Sequence, residues 1–198
     1  MDNRPHNETR ERILDVAEAL FMQRGYSAVK LRDIADEVGM RHASLYYYAP
    51  GGKEELFVAV LRRSLLRHQQ EMTRLIAEAD DNIQAQAYAV SDWLVSQPPL
   101  DLVRMVQADL PAIDPAKAAE LSGLLVHALT APLMGALRGA QAAGAVTVAN
   151  EGMAAMSLIT LIQNIHHIPL ESIPEGRQAF GRKLVDMLLN GWLTREKL

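Results

Sequence analysis

Apolar positions recur along this chain with the period of helices, and nowhere with the strict alternation of a half-buried strand. Leu31, Ile34, Ala35 and Val38 fall at i, i+3, i+4 and i+7, one face of a short helix. Gly39 follows at once, the usual stop, because glycine takes the left-handed backbone without a Cβ penalty. A second short helix begins near Arg41. Of its first residues only Ala43 and Leu45 are plainly apolar, which leaves Arg41, His42, Ser44, Tyr46, Tyr47 and Tyr48 to point away from a small core. Two short helices joined by a tight glycine turn, the second polar and hydroxyl-rich, match the helix-turn-helix that lays its second helix in the DNA major groove. The same residues also fit an ordinary αα-hairpin on a protein surface.

The flanking pattern is helical throughout. A first helix spans about Thr9 to Arg24, with Ile13, Ala17, Leu20 and Phe21 on one face. Pro50-Gly51-Gly52 reads as a turn, and a long helix from near Lys53 carries Leu56, Phe57, Val60, Leu61, Leu65 and Leu66 toward Ala79. Asp80-Asp81-Asn82 breaks it and caps a helix holding Ile83, Tyr88, Trp93 and Leu94, which Pro98-Pro99 ends. Leu100 to Leu110 reads as a short helix stopped by Pro111. Asp114-Pro115 is a start signal, Asp as N-cap and Pro at the first helical position, for a helix to about Ala143 that Pro132 should kink or divide. Asn150-Glu151 opens a helix from Gly152 to His167. Ser172-Ile173-Pro174-Glu175 has the form of a capping box, opening a last helix to about Leu193. The fold class is all-α, with roughly nine helices.

With its flanks included, the amino-terminal third resembles the tetracycline-repressor (TetR) family of bacterial regulators. The matching residues run from Thr9-Arg10-Glu11-Arg12-Ile13-Leu14 to Lys53-Glu54-Glu55-Leu56, and include Ala17, Leu20, Phe21, Gly25-Tyr26, Ile34-Ala35, Gly39, Leu45-Tyr46 and Tyr48. Three features depart from the family pattern. The hydroxyl that usually caps the second helix near Val29 and Lys30 is absent, Ala49 stands where an aromatic is usual, and the turn before Lys53 is a residue longer than the commonest form. The resemblance implies a three-helix DNA-binding domain over residues 1–55, extending to about 66 with the start of the linking helix, its motif at about 29–48. It also implies a larger helical ligand-binding and dimerisation domain over 67–198.

Composition narrows the function classes. Apolar residues make up 49% of the 198, enough for a sizeable core, and there is no cysteine, which excludes a disulfide framework or a thiolate metal site. No apolar run looks long enough to span a bilayer, and the polar start lacks the apolar segment of a signal peptide, so a cytoplasmic location is expected. The net charge of −4 argues against coating nucleic acid through bulk charge. Residues 1–70 hold 11 Lys and Arg against 10 Asp and Glu, and residues 71–198 hold 9 against 14. Any affinity for DNA must therefore come from a few placed cations in the first third.

The candidate DNA-binding residues are Lys30, Arg32, Arg41, His42, Ser44, Tyr46, Tyr47, Tyr48 and Lys53. Lys30 can supply a cation in place of the missing hydroxyl. Arg32 either contacts phosphate or base, as the resemblance implies, or pairs with Asp36 one turn on. Arg41 and His42 open the recognition helix, where side chains reach base edges, and an arginine can bind guanine O6 and N7 together. Successive helical positions diverge by about 100°, so the three tyrosines cannot all face DNA. By resemblance Tyr46 packs partly inward and donates to a phosphate, Tyr47 reaches furthest, Tyr48 meets the backbone, and Lys53 lies near a phosphate.

In the carboxy-terminal part, His166-His167 cannot chelate one ion on a regular helix, and no partner stands at metal-ligand spacing, so no metal and no cofactor is expected. Gln163 and His167 are candidate polar anchors of a ligand pocket, and Trp93 and Met105 candidate walls, although each also fits an ordinary core position. Two helices carry broad apolar faces, one with Met156, Ile159, Thr160 and Ile162, the other with Phe180, Leu184, Met187, Leu188, Gly191 and Trp192. They suit either a core or, as the resemblance implies, a four-helix dimer interface.

The function expected is a ligand-responsive transcriptional regulator, most often a repressor. It would bind a palindromic operator in double-stranded DNA as a homodimer and release it when a small apolar organic effector enters. A helical ligand- or protein-binding dimer that has lost specific DNA binding is the alternative. No nucleophile–base set, carboxylate pair or phosphate loop points to an enzyme. The effector, the operator sequence and the regulated genes leave no mark in the sequence.

Overall fold

The computed structural model describes residues 4–190, with side chains from residue 7. Nine α-helices and no strand occur among the described residues. They are α1 (Arg4–Arg24), α2 (Leu31–Val38), α3 (His42–Tyr48), α4 (Gly52–Glu78), α5 (Ile83–Ser96), α6 (Leu102–Arg104), α7 (Pro115–Ala142), α8 (Glu151–Asn164) and α9 (Arg177–Asn190). α6 runs directly into a π-helical turn over Met105–Asp109 and a 3-10 turn over Leu110–Ala112. Gly191, Trp192 and the expected helix end at Leu193 lie outside the described residues.

Several starts follow the cap chemistry. Asn82 Oδ1 accepts the Ala85 N–H at 2.8 Å, Asn150 Oδ1 accepts the Met153 N–H at 2.8 Å, and Asp114 Oδ1 accepts the N–H groups of Ala116 and Lys117. The Ser172–Glu175 capping box does not form. A 3-10 turn occupies Leu170–Ser172, and Gly176 takes the left-handed backbone (φ +84°) before α9 begins at Arg177. Glu175 instead pairs with Lys183 at 2.8 Å. Pro132 does not divide α7. On length and composition α7 is long and apolar enough to cross a membrane, contrary to the expectation from sequence, yet Leu121, Leu125, Ala128, Leu129 and Leu133 along it are buried in the protein.

The chain forms two compact units. The first comprises Met1–Leu66 and Asp101–Leu125, the second Arg67–Leu100 and Val126–Leu198. This differs from a division that places everything after residue 66 in one domain. The physical reason is a set of polar ties. Asp109, buried, accepts the Tyr26 N–H at 2.8 Å, and Arg104 donates to Asp109 at 3.2 Å and to the Met22 carbonyl at 2.7 Å. Lys117 pairs with Glu54 at 2.6 Å, and Arg62 pairs with Glu120. Met105, the proposed pocket wall, belongs to this unit and is buried in it. In the second unit α5 packs against both α8 and α9. Gly181 of α9 meets Ser91 of α5 so closely that an added Cβ would lie 2.6 Å from the Ser91 hydroxyl.

Candidate nucleic-acid interface

The core of the amino-terminal unit fixes the short helices. Ile13, Ala17 and Phe21 of α1 are buried with Ile34, Ala35 and Val38 of α2, Leu45 of α3 and Phe57 of α4. The rings of Phe21 and Phe57 meet edge-to-face at 5.3 Å, and Tyr26 lies 4.9 Å from Phe57. Arg63 of α4 reaches three carboxylates of α1, Glu11, Asp15 and Glu18, at 3.0, 2.8 and 2.8 Å.

α2 ends at Gly39 (φ +76°), and the Met40 N–H returns to the Ala35 carbonyl at 2.9 Å, so only a residue without Cβ takes this turn cheaply. The guanidinium of Arg12 donates to the Val38 carbonyl at the negative end of the α2 dipole. At the other end no side chain of the N-cap residue accepts from the first N–H groups of the helix. The Lys30 N–H donates to the Asp33 carboxylate at 2.8 Å, and the Asp33 N–H to the Lys30 carbonyl at 3.0 Å. Asp33 thus supplies the reciprocal half of a capping box, visible in the sequence as an acidic residue three positions after Lys30.

α3 buries Leu45 alone and exposes His42, Ala43, Ser44, Tyr46 and Tyr47, with Arg41 exposed at its N-cap. Tyr47 is 71% exposed, Tyr46 46%, and Tyr48 half-buried, so it is Tyr48 rather than Tyr46 that turns further inward. His42 stacks edge-on against Tyr46 at 5.3 Å, and Tyr47 against Tyr48 at 5.2 Å. These contacts hold four rings on one short helix. Arg32 pairs with Asp36 at 3.6 Å, both well exposed, so the pair is weak and easily exchanged for a phosphate. Lys30 is exposed. Lys53 is committed within the protein. Its ammonium donates to the Tyr26 carbonyl at 3.0 Å and lies 4.1 Å from the centre of the Tyr26 ring.

A model of bacterial regulatory proteins of the tetR family matches residues 13–60. Its amino-terminal domain is thus similar to the DNA-binding domain of the TetR family over those residues. The transcriptional regulator LmrA of Bacillus subtilis is 43% identical over 53 residues, 27% of this chain and 28% of that protein. The repressor NemR of Escherichia coli K12 is 27% identical over 97 residues, 49% of this chain and 48% of that protein. The chain thus spans a quarter to a half of the length of such curated relatives. Its fold continues further. The fatty acid degradation regulator FadR of Bacillus halodurans superposes with a TM-score of 0.74 over 94% of this chain and 97% of that one, at 16% identity. Reduced E. coli NemR does so at 0.71 over 91% and 97%, at 20% identity. At such identity the likeness concerns the TetR-family fold alone.

The residues expected around a ligand are not on the lining of the cavity between α5, α7, α8 and α9. Trp93 is half-buried with its ring 5.0 Å from that of His68, and His167 is exposed on a 3-10 turn. Gln163 is buried, its Oε1 accepting the Leu100 N–H at 3.3 Å while its Nε2 has no partner. The cavity, of about 240 Å³, lies between these helices and the segment before α8. No sequence signal singled it out, because its walls are the same Leu, Ile and Ala that make core elsewhere. Among the described residues no three His, Asp or Glu side chains cluster as a metal site requires.

The apolar faces of α8 and α9 divide. Ile159 is fully buried within its own chain, so it packs the core and cannot face a partner. Met156, Thr160, Phe180, Leu184 and Met187 are half-buried, and Leu188 is exposed.

Proposed function

We propose that this chain is a ligand-responsive transcriptional regulator of the TetR family, acting as a repressor on a palindromic operator. The observation that carries the reading is the exposed face of α3 and its N-cap, where Arg41, His42, Ser44, Tyr46 and Tyr47 stand together on a helix anchored by Leu45 alone. Arg41 and His42 would read base edges in the major groove, with Ser44, Tyr46 and Tyr47 on phosphate and sugar. Tyr48, Lys30, Arg32 and Lys53 would flank the backbone contacts. Lys53 would act there mainly by holding the Tyr26 turn.

Two recognition helices related by a two-fold axis match two half-sites about one helical turn apart or more. The dimer would form through α8 and α9, with Met156, Thr160, Phe180, Leu184, Met187 and Leu188 facing a second copy across a self-complementary surface. A small apolar effector bound in the second unit would favour a spacing of the two recognition helices that no longer fits the operator. It can shift that equilibrium only by its differential affinity for the two states. α4 and α7 both pass from one unit into the other and are the covalent path for such a shift.

A gel shift with the DNA upstream of the protein's own gene tests the reading. A discrete complex that survives excess random DNA is expected. Equal affinity for both DNAs would favour a dimer that has lost specific DNA binding.

A further inference from the structure

We propose that the cavity between α5, α7, α8 and α9 is a binding site for a small, uncharged, mainly aliphatic molecule. Its meaning as the effector site rests on the regulatory reading above, whereas its occupancy does not.

The cavity measures about 240 Å³. In another protein, an apolar cavity of about 150 Å³ stays dry and accepts benzene. At roughly 30 Å³ per water-sized group, the present one holds about eight such groups. Ile83 from α5, Leu133 and Leu137 from α7, Leu158 from α8 and Leu188 from α9 form the walls. The side-chain polar groups on its lining are the hydroxyls of Thr147 and Ser157, and no lining side chain is charged. A carboxylate, phosphate or ammonium entering here would lose its hydration with no counter-ion, which is costly. A neutral alcohol, aldehyde or ketone needs a single hydrogen bond, and either hydroxyl can supply it.

The space is framed rather than left by chance. The segment carrying Val146, Thr147 and Val148 is pinned at one end by the Ala145 N–H on the Ala140 carbonyl at 2.9 Å. Towards its other end the Val148 N–H donates to Gln141 Oε1 at 3.0 Å, and Asn150 then caps α8. Small residues, Ala87 and Ala155, occupy buried wall positions where a larger side chain would fill the volume. Met153, also on the lining, is 65% exposed and offers apolar surface at the mouth. The helices that roof the cavity, α8 and α9, are those assigned to the dimer, so a molecule seated beneath them can bias the pairing of two copies.

The test uses the full chain without DNA, so a failure of operator binding bears on the regulatory reading and leaves this result unchanged. The small neutral fluorophore naphthalene serves as probe, displaced by 1-octanol or by octanoate at neutral pH. Saturable probe binding is expected, with 1-octanol displacing it at concentrations roughly tenfold or more below octanoate, since only octanoate carries a charge there. Ala154→Phe blocks the cavity from α8, and Ala145→Trp blocks it from an exposed position where folding is not at stake. Each should weaken the probe by about tenfold or more with an unchanged helical spectrum. Wild-type probe affinity in Ala145→Trp overturns the site. Equal displacement by octanoate overturns the uncharged class. Probe binding that emerges only on dilution of the dimer overturns the proposal in favour of a cavity filled by the second copy.

Discussion

The carboxylate of Asp109 accepts the backbone N–H of Tyr26 at 2.8 Å, joining the turn after α1 to the π-helical turn after α6 across 83 residues of sequence. Both groups are buried. Asp109→Ala leaves the Tyr26 N–H without its acceptor and Arg104 with only the more distant Asp101, at 4.0 Å, and should cost about 1–3 kcal/mol. Asp109→Asn keeps an acceptor for the N–H and should cost less. Urea midpoints at constant m-value measure both. Equal losses would mean that the charge on Arg104, rather than the acceptor for Tyr26, carries the tie.

Arg41 and Lys53 should part company when mutated. Arg41→Ala is expected to lose roughly 1–3 kcal/mol of operator affinity and to relax specificity at one base pair in each half-site. Lys53→Met removes the bond to the Tyr26 carbonyl and the ring contact, so thermal stability should fall by about 1 kcal/mol. Its salt dependence of DNA binding should stay close to that of the wild type. A salt slope reduced by about one would instead make Lys53 a phosphate ligand.

Met187 is half-buried on α9. Met187→Glu would place a carboxylate in the proposed self-complementary surface, where it meets its own symmetry region and desolvates unpaired, at a cost of several kcal/mol. Light scattering should report a monomer, with operator binding lost at the same protein concentration. A dimeric Met187→Glu protein that still binds DNA moves the interface off α9.

The His166 Nε2–H donates to the Leu94 carbonyl at 3.4 Å, and burial, helped by the nearby charges of Arg177 and His167, lowers its pKa against the opposing pull of that hydrogen bond. The unfolded chain, with a histidine near 6.5, therefore binds more protons than the folded one once the pH drops below that value. Stability contributed here is complete above about 6.5 and is lost as pH falls toward the folded-state pKa. A series of urea melts between neutral and mildly acidic pH should show a smaller decline in His166→Gln than in the wild type. Identical declines would assign the acid sensitivity to other groups.

The sequence carried local information well and long-range information poorly. The spacing of Leu31, Ile34, Ala35 and Val38 before Gly39 defines α2 and its stop because every partner lies within a turn or two. Asn82, Asp114 and Asn150 were legible as caps for the same reason. The Ser172–Glu175 pattern failed because Gly176 interrupts it, and a cap motif does not register the residue that follows. Periodicity also could not separate Ile159 from Met187, since a side chain enclosed by its own chain and one half-open to solvent obey the same helical repeat. The Asp109–Tyr26 bond and the cavity beside Leu158 depend on tertiary placement, to which neighbouring residues give no clue.

The carboxylate and guanidinium ties that bring Asp101–Leu125 into the first unit have a consequence for hybrid regulators. A chimera that joins residues 1–66 of this chain to the remainder of a relative would strip Tyr26, Glu54 and Arg62 of Asp109, Lys117 and Glu120. The fold of the first unit is thus encoded in two separate stretches, and a transplant that keeps it intact must carry both or rebuild their complementary charges in the host.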